Sequence, residues 1–322
     1  MPTKEIRAHF IEPMLLLATS DLPQGDAWAY ELKLDGYRAI AYKTNGRIQL
    51  RSRNDKDFSR RYPTIAAALS KLPDETVIDG EIVTLNESGR PSFNALQNYG
   101  KSNVPIFYYL FDVLVLSGKD LRSEPLEKQR DLLRRQLLPK LKAPIRRCPE
   151  LNGGLSEVIS AVRAQGLEGV VAKNLNSLYE PGRRSGAWRK LRINKGQEFV
   201  IGGYTPGPRN FDALIFGYYE QGKLHYAGRT RNGFTPRSRE ELQKHFRGLD
   251  IPRCPFANLP EARPGHWGLG LTAEKMKECR WLRPELVAQF EYVEWTPDDH
   301  LRHSRFVALR EDKDPIEVHR EP

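Results

Sequence analysis

The chain has 322 residues, a length that fits about two domains. Hydrophobic residues make up 39%, enough for packed cores and too many for a disordered chain. Lys and Arg number 51 against 41 Asp and Glu, a net charge of +10 that favours a polyanionic partner: nucleic acid, a nucleotide or an acidic membrane surface. Cys148, Cys254 and Cys279 are far apart and show no C-x-x-C spacing, which argues against a disulfide framework or a zinc site and points to a reducing cytoplasm. The segment 1–20 is charged as far as Glu12 and then has only a short apolar patch over 14–18, too short for a signal sequence or a membrane span.

Residues 28–44 alternate like a strand with a turn inside. In ELKLDGYRAI (31–40), Leu32 and Leu34 alternate with Glu31, Lys33 and Asp35, so one face carries three charges. Gly36 permits a sharp turn or a close approach, here read as room for a ligand beside Lys33. Pro63 at a first helical position predicts a helix over 63–72. TVIDGEIVTL (76–85) reads as a strand with Asp79 and Glu81 on one face. SFNALQNYG (92–100) reads as a helix capped by Ser92 and stopped by Gly100. VPIFYYLFDVLVL (104–116) is a long aromatic strand buried on both sides. Helices are expected at 125–137 and 155–165 and a short buried strand at 169–173, followed by a polar, glycine-rich loop over 176–187.

The texture changes after WRKLRINKGQ (188–197), which places a linker near 193–197. FVIGGYT, ALIFGYYE and KLHYAGRT read as short strands, then a helix with capping-box spacing between Ser238 and Glu241. After a Pro/Gly-rich stretch over 252–270, ELVAQFEYVEW and RFVAL read as two more strands. Five strands and a helix in this length suit a small Greek-key barrel of the OB type; another α+β domain of the same size is the alternative.

The motifs then stand in order: KLDGYR (33–38), SRNDKDFS (52–59), IDGEIV (78–83), LFDVL (110–114), EGVVAK (168–173), WRKLR (188–192) and LREDK (309–313). Each is weak alone, and the ordered set is specific. It resembles the covalent nucleotidyltransferase superfamily of ATP-dependent DNA ligases and mRNA-capping enzymes. In detail it is similar to the ligase module of bacterial non-homologous end-joining ligases, over roughly residues 10–320.

The resemblance implies an α+β chain: an N-terminal adenylyltransferase domain over 1–195 (ATP-grasp-like, antiparallel sheets with helices) and a C-terminal OB-fold β-barrel over 196–322. It implies that Lys33 attacks the α-phosphorus of ATP, that AMP passes to a 5′-phosphate at a nick, and that the 3′-OH displaces AMP. An ammonium is not a nucleophile, and carboxylates alone hold the proton on. A divalent cation, Mg²⁺ or Mn²⁺, held by Asp35 and Glu168 reverses that field, with Lys190 and Arg192 adding positive charge.

By the same resemblance, Glu31 contacts the adenine edge, Phe111 stacks on adenine, and Arg38 and Arg53 contact the ribose or the nick phosphate. Glu81 contacts the ribose or the metal. Lys190 contacts phosphate; Arg192 stands where a second lysine is usual, which leaves its contact open. Arg310 and Lys313 orient the pyrophosphate. On each of these positions a surface or core role is the competing reading. Period two puts Lys173 on the face opposite Glu168, which argues against a catalytic role. Arg183, Arg184, Arg189 and Lys195 form a basic segment fit to follow a phosphate backbone or to face solvent.

The expected partners are nicked double-stranded DNA and a Ku-like end-binding protein; the chain is expected to be a monomer in the bacterial cytoplasm, on the nucleoid when bound to DNA. An RNA ligase or capping-type guanylyltransferase on the same scaffold, and a non-catalytic OB-containing DNA-binding protein, are the competing functions.

Overall fold

The computed structural model describes residues 5–97, 99–100, 104–193, 196–263 and 270–321. Lys195 and parts of the linker and of the Pro/Gly-rich stretch lie outside them. The chain divides into two compact units, Met1–Asn194 with Pro322 and Lys195–Glu321.

In the first unit the strands are β1 (Leu17–Ala18), β2 (Trp28–Lys33), β3 (Tyr37–Thr44), β4 (Arg47–Ser52), β5 (Thr76–Thr84), β6 (Ile106–Leu116), β7 (Lys119–Asp120), β8 (Ile145–Arg147), β9 (Glu150–Leu151), β10 (Gly169–Asn174) and β11 (Trp188–Arg192). The helices are α1 (Pro63–Ala68), α2 (Phe93–Gln97), α3 (Leu126–Leu132) and α4 (Leu155–Ala164). The strands form two sheets. Sheet I has the order β1-β11-β10-β2-β9, and sheet II the order β4-β3-β5-β6-β7 with β8 beside β6. Pairing is antiparallel except β1 with β11 and β6 with β8.

Period-two alternation gives sheet I two unlike faces. Leu32, Val170, Ala172 and Leu191 pack under Val158 and Val162 of α4. Each fully buried aliphatic chain here contributes about 1.5–3 kcal/mol. A second cluster joins Trp188 of sheet I to Ile40, Val83, Phe111 and Leu114 of sheet II, with Met14 and Tyr179. Ser92 caps α2 as expected, accepting from the Ala95 N–H at 3.3 Å.

Gly36 is needed by the chain itself. A Cβ there would sit 2.2 Å from the Ile82 carbonyl oxygen of β5. The close approach anticipated for a ligand is thus made by the protein's own backbone.

The second unit has β12 (Gly196–Pro206), β13 (Phe211–Glu220), β14 (Lys223–Thr230), α5 (Pro236–His245), β15 (Asp250–Ile251), α6 (Ala273–Met276), β16 (Arg280–Glu291), β17 (Glu294–Trp295), β18 (Leu301–Arg302) and β19 (Arg305–Leu309). Sheet III runs β14-β13-β12-β16-β15 with β19 on β16, and β17 pairs β18 apart from it. The expected antiparallel strands are present; among the described residues their ladders form an open path. The run over 285–295 is divided, because β16 ends at Glu291 and the chain turns before β17. The capping box also lies elsewhere. Thr235 is the N-cap of α5, and its hydroxyl accepts from the Ser238 N–H at 3.1 Å while Ser238 reaches back. Pro236 at the first helical position fixes that start.

The three cysteines are free thiols. No helix among the described residues is long and apolar enough to cross a membrane.

Candidate active site

Register brings the motif residues of sheet I together. Lys33, Gly169 and Arg192 are neighbours in one row across β2, β10 and β11. Two residues along, Glu31, Val171 and Lys190 make the next row, and Lys173 opposite Trp188 extends it. Residues two apart on a strand share a face. Glu31, Lys33, Lys173, Trp188, Lys190 and Arg192 therefore lie on the face away from α4. Gly169 permits this convergence: a Cβ there would be 2.1 Å from the Leu191 carbonyl oxygen.

Glu168 lies just before β10, so strand alternation does not govern it. Its Oε1 takes both the Lys33 ammonium, in direct ion-pair contact, and Arg192 Nη2 at 3.1 Å. The Glu168 side chain is 4% exposed, and its Oε2 is buried with no hydrogen-bond partner among the described residues.

Glu31 is equally buried. Its Oε2 is 2.7 Å from Lys173 Nζ, and its Oε1 is 3.2 Å from Arg130 Nη2 of α3. Lys173 thus belongs to the face of Lys33 and Glu31. The alternation argument failed because it took Glu168 as part of the strand. Lys173 and Arg130 are residues that sequence reasoning missed. Lys173 could have been found by counting from Gly169, whereas nothing in the α3 sequence marks Arg130.

Lys173 Nζ also lies 3.9 Å from the centre of the Phe111 ring, and the Arg38 guanidinium 4.5 Å from it. Arg38 is itself clamped. Nε meets Asp79 Oδ1 at 2.6 Å and Nη2 meets Oδ2 at 2.5 Å; the Tyr179 hydroxyl donates to Oδ2 at 2.7 Å. Burial works against the Arg38 charge, yet Asp79 raises its affinity for the proton well above the ordinary guanidinium value. Asp79 thus braces two side chains, Arg38 and Tyr179. Asp112 does brace backbone, its Oδ1 accepting the Val113 N–H at 2.8 Å. Burial pushes the Asp112 carboxyl well above its usual range, against the pull of Lys173.

Glu81 lies opposite Arg38 in the β3–β5 register. Asp35 Oδ2 accepts the Phe93 N–H at 3.4 Å. Arg53 sits in the turn after β4. In the second unit, Arg310 is buried and clamped: Nε to Asp312 Oδ1 at 2.9 Å and Nη2 to Oδ2 at 2.8 Å. Lys313 Nζ lies 3.7 Å from Glu198 Oε1. Burial acts to raise the Asp312 carboxyl, but Arg310 outweighs it and the group sits below its usual range.

No group of three or more His, Cys, Asp or Glu side chains among the described residues is arranged to hold a metal. The donor set still fits one hard cation. Mg²⁺ keeps most of its waters and takes one or two carboxylates plus substrate phosphates. Glu168, with one buried oxygen left without a hydrogen-bond partner among the described residues, is a carboxylate of that kind.

Comparisons with known proteins agree over both units. A family model described as ATP dependent DNA ligase domain matches residues 13–192, and one described as ATP dependent DNA ligase C terminal region matches 207–313. The multifunctional non-homologous end joining protein LigD of Pseudomonas aeruginosa is 36% identical over 319 residues, covering 96% of this chain and 36% of the relative. The DNA repair protein LigD of Mycobacterium tuberculosis is 36% identical over 300 residues, covering 91% and 37%. DNA ligase C1 of Mycolicibacterium smegmatis is 28% identical over 331 residues, covering 95% and 91%. The chain therefore spans little more than a third of the LigD relatives it matches. A solved structure of mycobacterial DNA ligase D complexed with ATP and MES superposes with a TM-score of 0.69 at 34% identity, covering 97% of this chain and 98% of that one.

Proposed function

The chain belongs to the ATP-dependent DNA ligases, and from that premise we propose that it seals 5′-phosphate/3′-OH nicks in double-stranded DNA by carrying AMP on Lys33. The observation that carries the reading is the contact of the Lys33 ammonium with Glu168, whose same oxygen also takes Arg192.

Lys33 attacks the α-phosphorus of ATP and expels pyrophosphate, forming a phosphoramidate. The AMP moves to the 5′-phosphate of the nick, and the 3′-OH attacks that phosphorus and releases AMP. Lys190 and Arg192, on the Lys33 face, meet phosphate oxygens, where positive charge is worth most as negative charge develops. Asp35 and Glu168 would hold Mg²⁺ or Mn²⁺. Such a cation supplies positive charge at the phosphates and weakens the hold of Glu168 on the Lys33 ammonium.

Glu31 reads the adenine edge, a role supported by its burial and by its Oε1 having no directed hydrogen bond. Phe111 stacks on adenine, with Lys173 and Arg38 fixing its ring. Arg38 and Arg53 serve the ribose or the nick phosphate, and Glu81 the ribose or the metal. Arg310 and Lys313 orient pyrophosphate. Arg310 would have to exchange part of its Asp312 clamp for that ligand.

The domains are an adenylyltransferase domain over 1–195 and an OB-fold domain over 196–322. The relatives named for non-homologous end joining support a role in DNA repair by end joining, as a monomer in a bacterial cytoplasm with a Ku-like protein presenting the ends.

The test is incubation with α-labelled ATP or GTP and Mg²⁺, a denaturing gel, then a chase with nicked DNA. Label from ATP, discharged with sealing of the nick, is expected. Label from GTP alone points to a capping enzyme, and no covalent label under either metal points to a DNA-binding protein.

A further inference from the structure

Glu31 and Glu150 stand directly opposite each other in the β2–β9 register. Like charges so placed repel. One atom resolves the conflict. Arg130 Nη2 lies 3.2 Å from Glu31 Oε1 and in direct ion-pair contact with Glu150 Oε1. Arg147 holds the same Glu150 oxygen from the other side. Arg130 is in the last turn of α3, where a cation suits the helix dipole, and its side chain is only 11% exposed.

The Arg130 contact with Glu31 is an ion pair without a directed hydrogen bond. Glu31 Oε1 remains a buried acceptor with no donor among the described residues. An orphaned buried acceptor of this kind is unfavourable unless a ligand completes it. A carboxylate set between Lys173 and Arg130 presents acceptors only. It therefore accepts from an amino group on a base edge and rejects a carbonyl oxygen at the same place.

We propose that Arg130 is a positioning residue for nucleotide selection: it fixes Glu31 from behind as a pure acceptor, so that the site takes a base with an edge amino group over one with an edge carbonyl. The proposal rests on the reading above that Glu31 faces the nucleobase. Arg130 itself touches no substrate.

The experiment is lysyl-nucleotide formation from ATP and from GTP with wild type, Arg130→Met, Glu31→Gln and the double variant. Arg130→Met should raise KM for ATP about tenfold with kcat within about threefold, and should narrow the preference for ATP over GTP. In the Glu31→Gln background the same change should add less than about twofold, since coupled residues are not additive. Arg130→Lys keeps the charge but loses the planar guanidinium whose Nη2 meets both carboxylates, and should raise KM about threefold. If Arg130→Met fails to fold, Arg130→Lys in the two backgrounds carries the same comparison. A KM unchanged within about twofold in the Arg130 variants, or an effect as large in the Glu31→Gln background as in wild type, overturns the proposal. Failure of wild type to take label from ATP would instead overturn the ligase reading itself, so the two failures are distinct.

Discussion

The Glu31–Glu168 face of sheet I and the Arg38–Asp79 clamp of sheet II are built from the same residue types and differ in what they leave unfinished. At the clamp, both Asp79 oxygens are taken, by Arg38 and by the Tyr179 hydroxyl. On sheet I, Glu31 Oε1 and Glu168 Oε2 are buried with no hydrogen-bond donor among the described residues. A completed ion pair organises the protein, whereas a buried acceptor kept without its donor marks where a substrate or a cation would complete the site. The Arg310–Asp312 pair is of the completed kind.

The contrast can be broken by substitution, since the open face should govern activity and the closed clamps stability. The largest effect is expected from Lys33→Ala, which should lower adenylate formation by more than about 10³-fold while leaving the urea midpoint close to wild type. Glu168→Gln should cost about 10²-fold or more in the same labelling assay, again with the fold retained. Asp79→Ala should act first on the fold. It strands the Arg38 guanidinium and removes an acceptor from Tyr179, so urea denaturation should register a loss of about 3–5 kcal/mol. Gly36→Ala should cost about 1–3 kcal/mol through the collision with the Ile82 carbonyl. If that variant instead folded normally and lost only ATP affinity, the ligand-approach reading of Gly36 would return.

The smallest effects are in the pH dependence of stability, where two buried aspartates should act with opposite sign. Burial raises Asp112, so the folded chain binds a proton that the unfolded chain releases near 3.8. Its contribution to stability falls as pH rises above that value, by up to about 1.4 kcal/mol per pH unit. Asp312 is lowered by Arg310 despite burial, so its contribution is present above 3.8 and is lost as pH falls through the lowered value. Urea melts across pH should show Asp112→Asn removing the first slope and Asp312→Asn removing the acid limb.

Much of this was legible in the sequence because it is local. Alternation placed β2 and β5, a continuous aromatic run placed β6, and motif order named the residues that register then gathered on sheet I. What was not legible depends on contacts between distant segments. Lys173 was put on the wrong face because one residue, Glu168, lies outside the strand. Arg130 reaches Glu31 from α3, a helix about a hundred residues further along the chain, which no spacing reveals. Gly36 is legible as a place of close approach, but the group that approaches is the Ile82 carbonyl and not a ligand. The α5 cap was missed by one turn because Pro236 moves the helix start to Thr235.

The central claim is that Lys33 is the atom-bearing nucleophile, and the most direct measurement is peptide mapping by mass spectrometry after incubation with ATP and Mg²⁺ without DNA. One adenylate per chain is expected, on the peptide containing Lys33, absent in Lys33→Ala and removed by nicked DNA. Adenylate on a Lys173 or Lys190 peptide, or none on any peptide of an enzyme that still seals nicks, would contradict it.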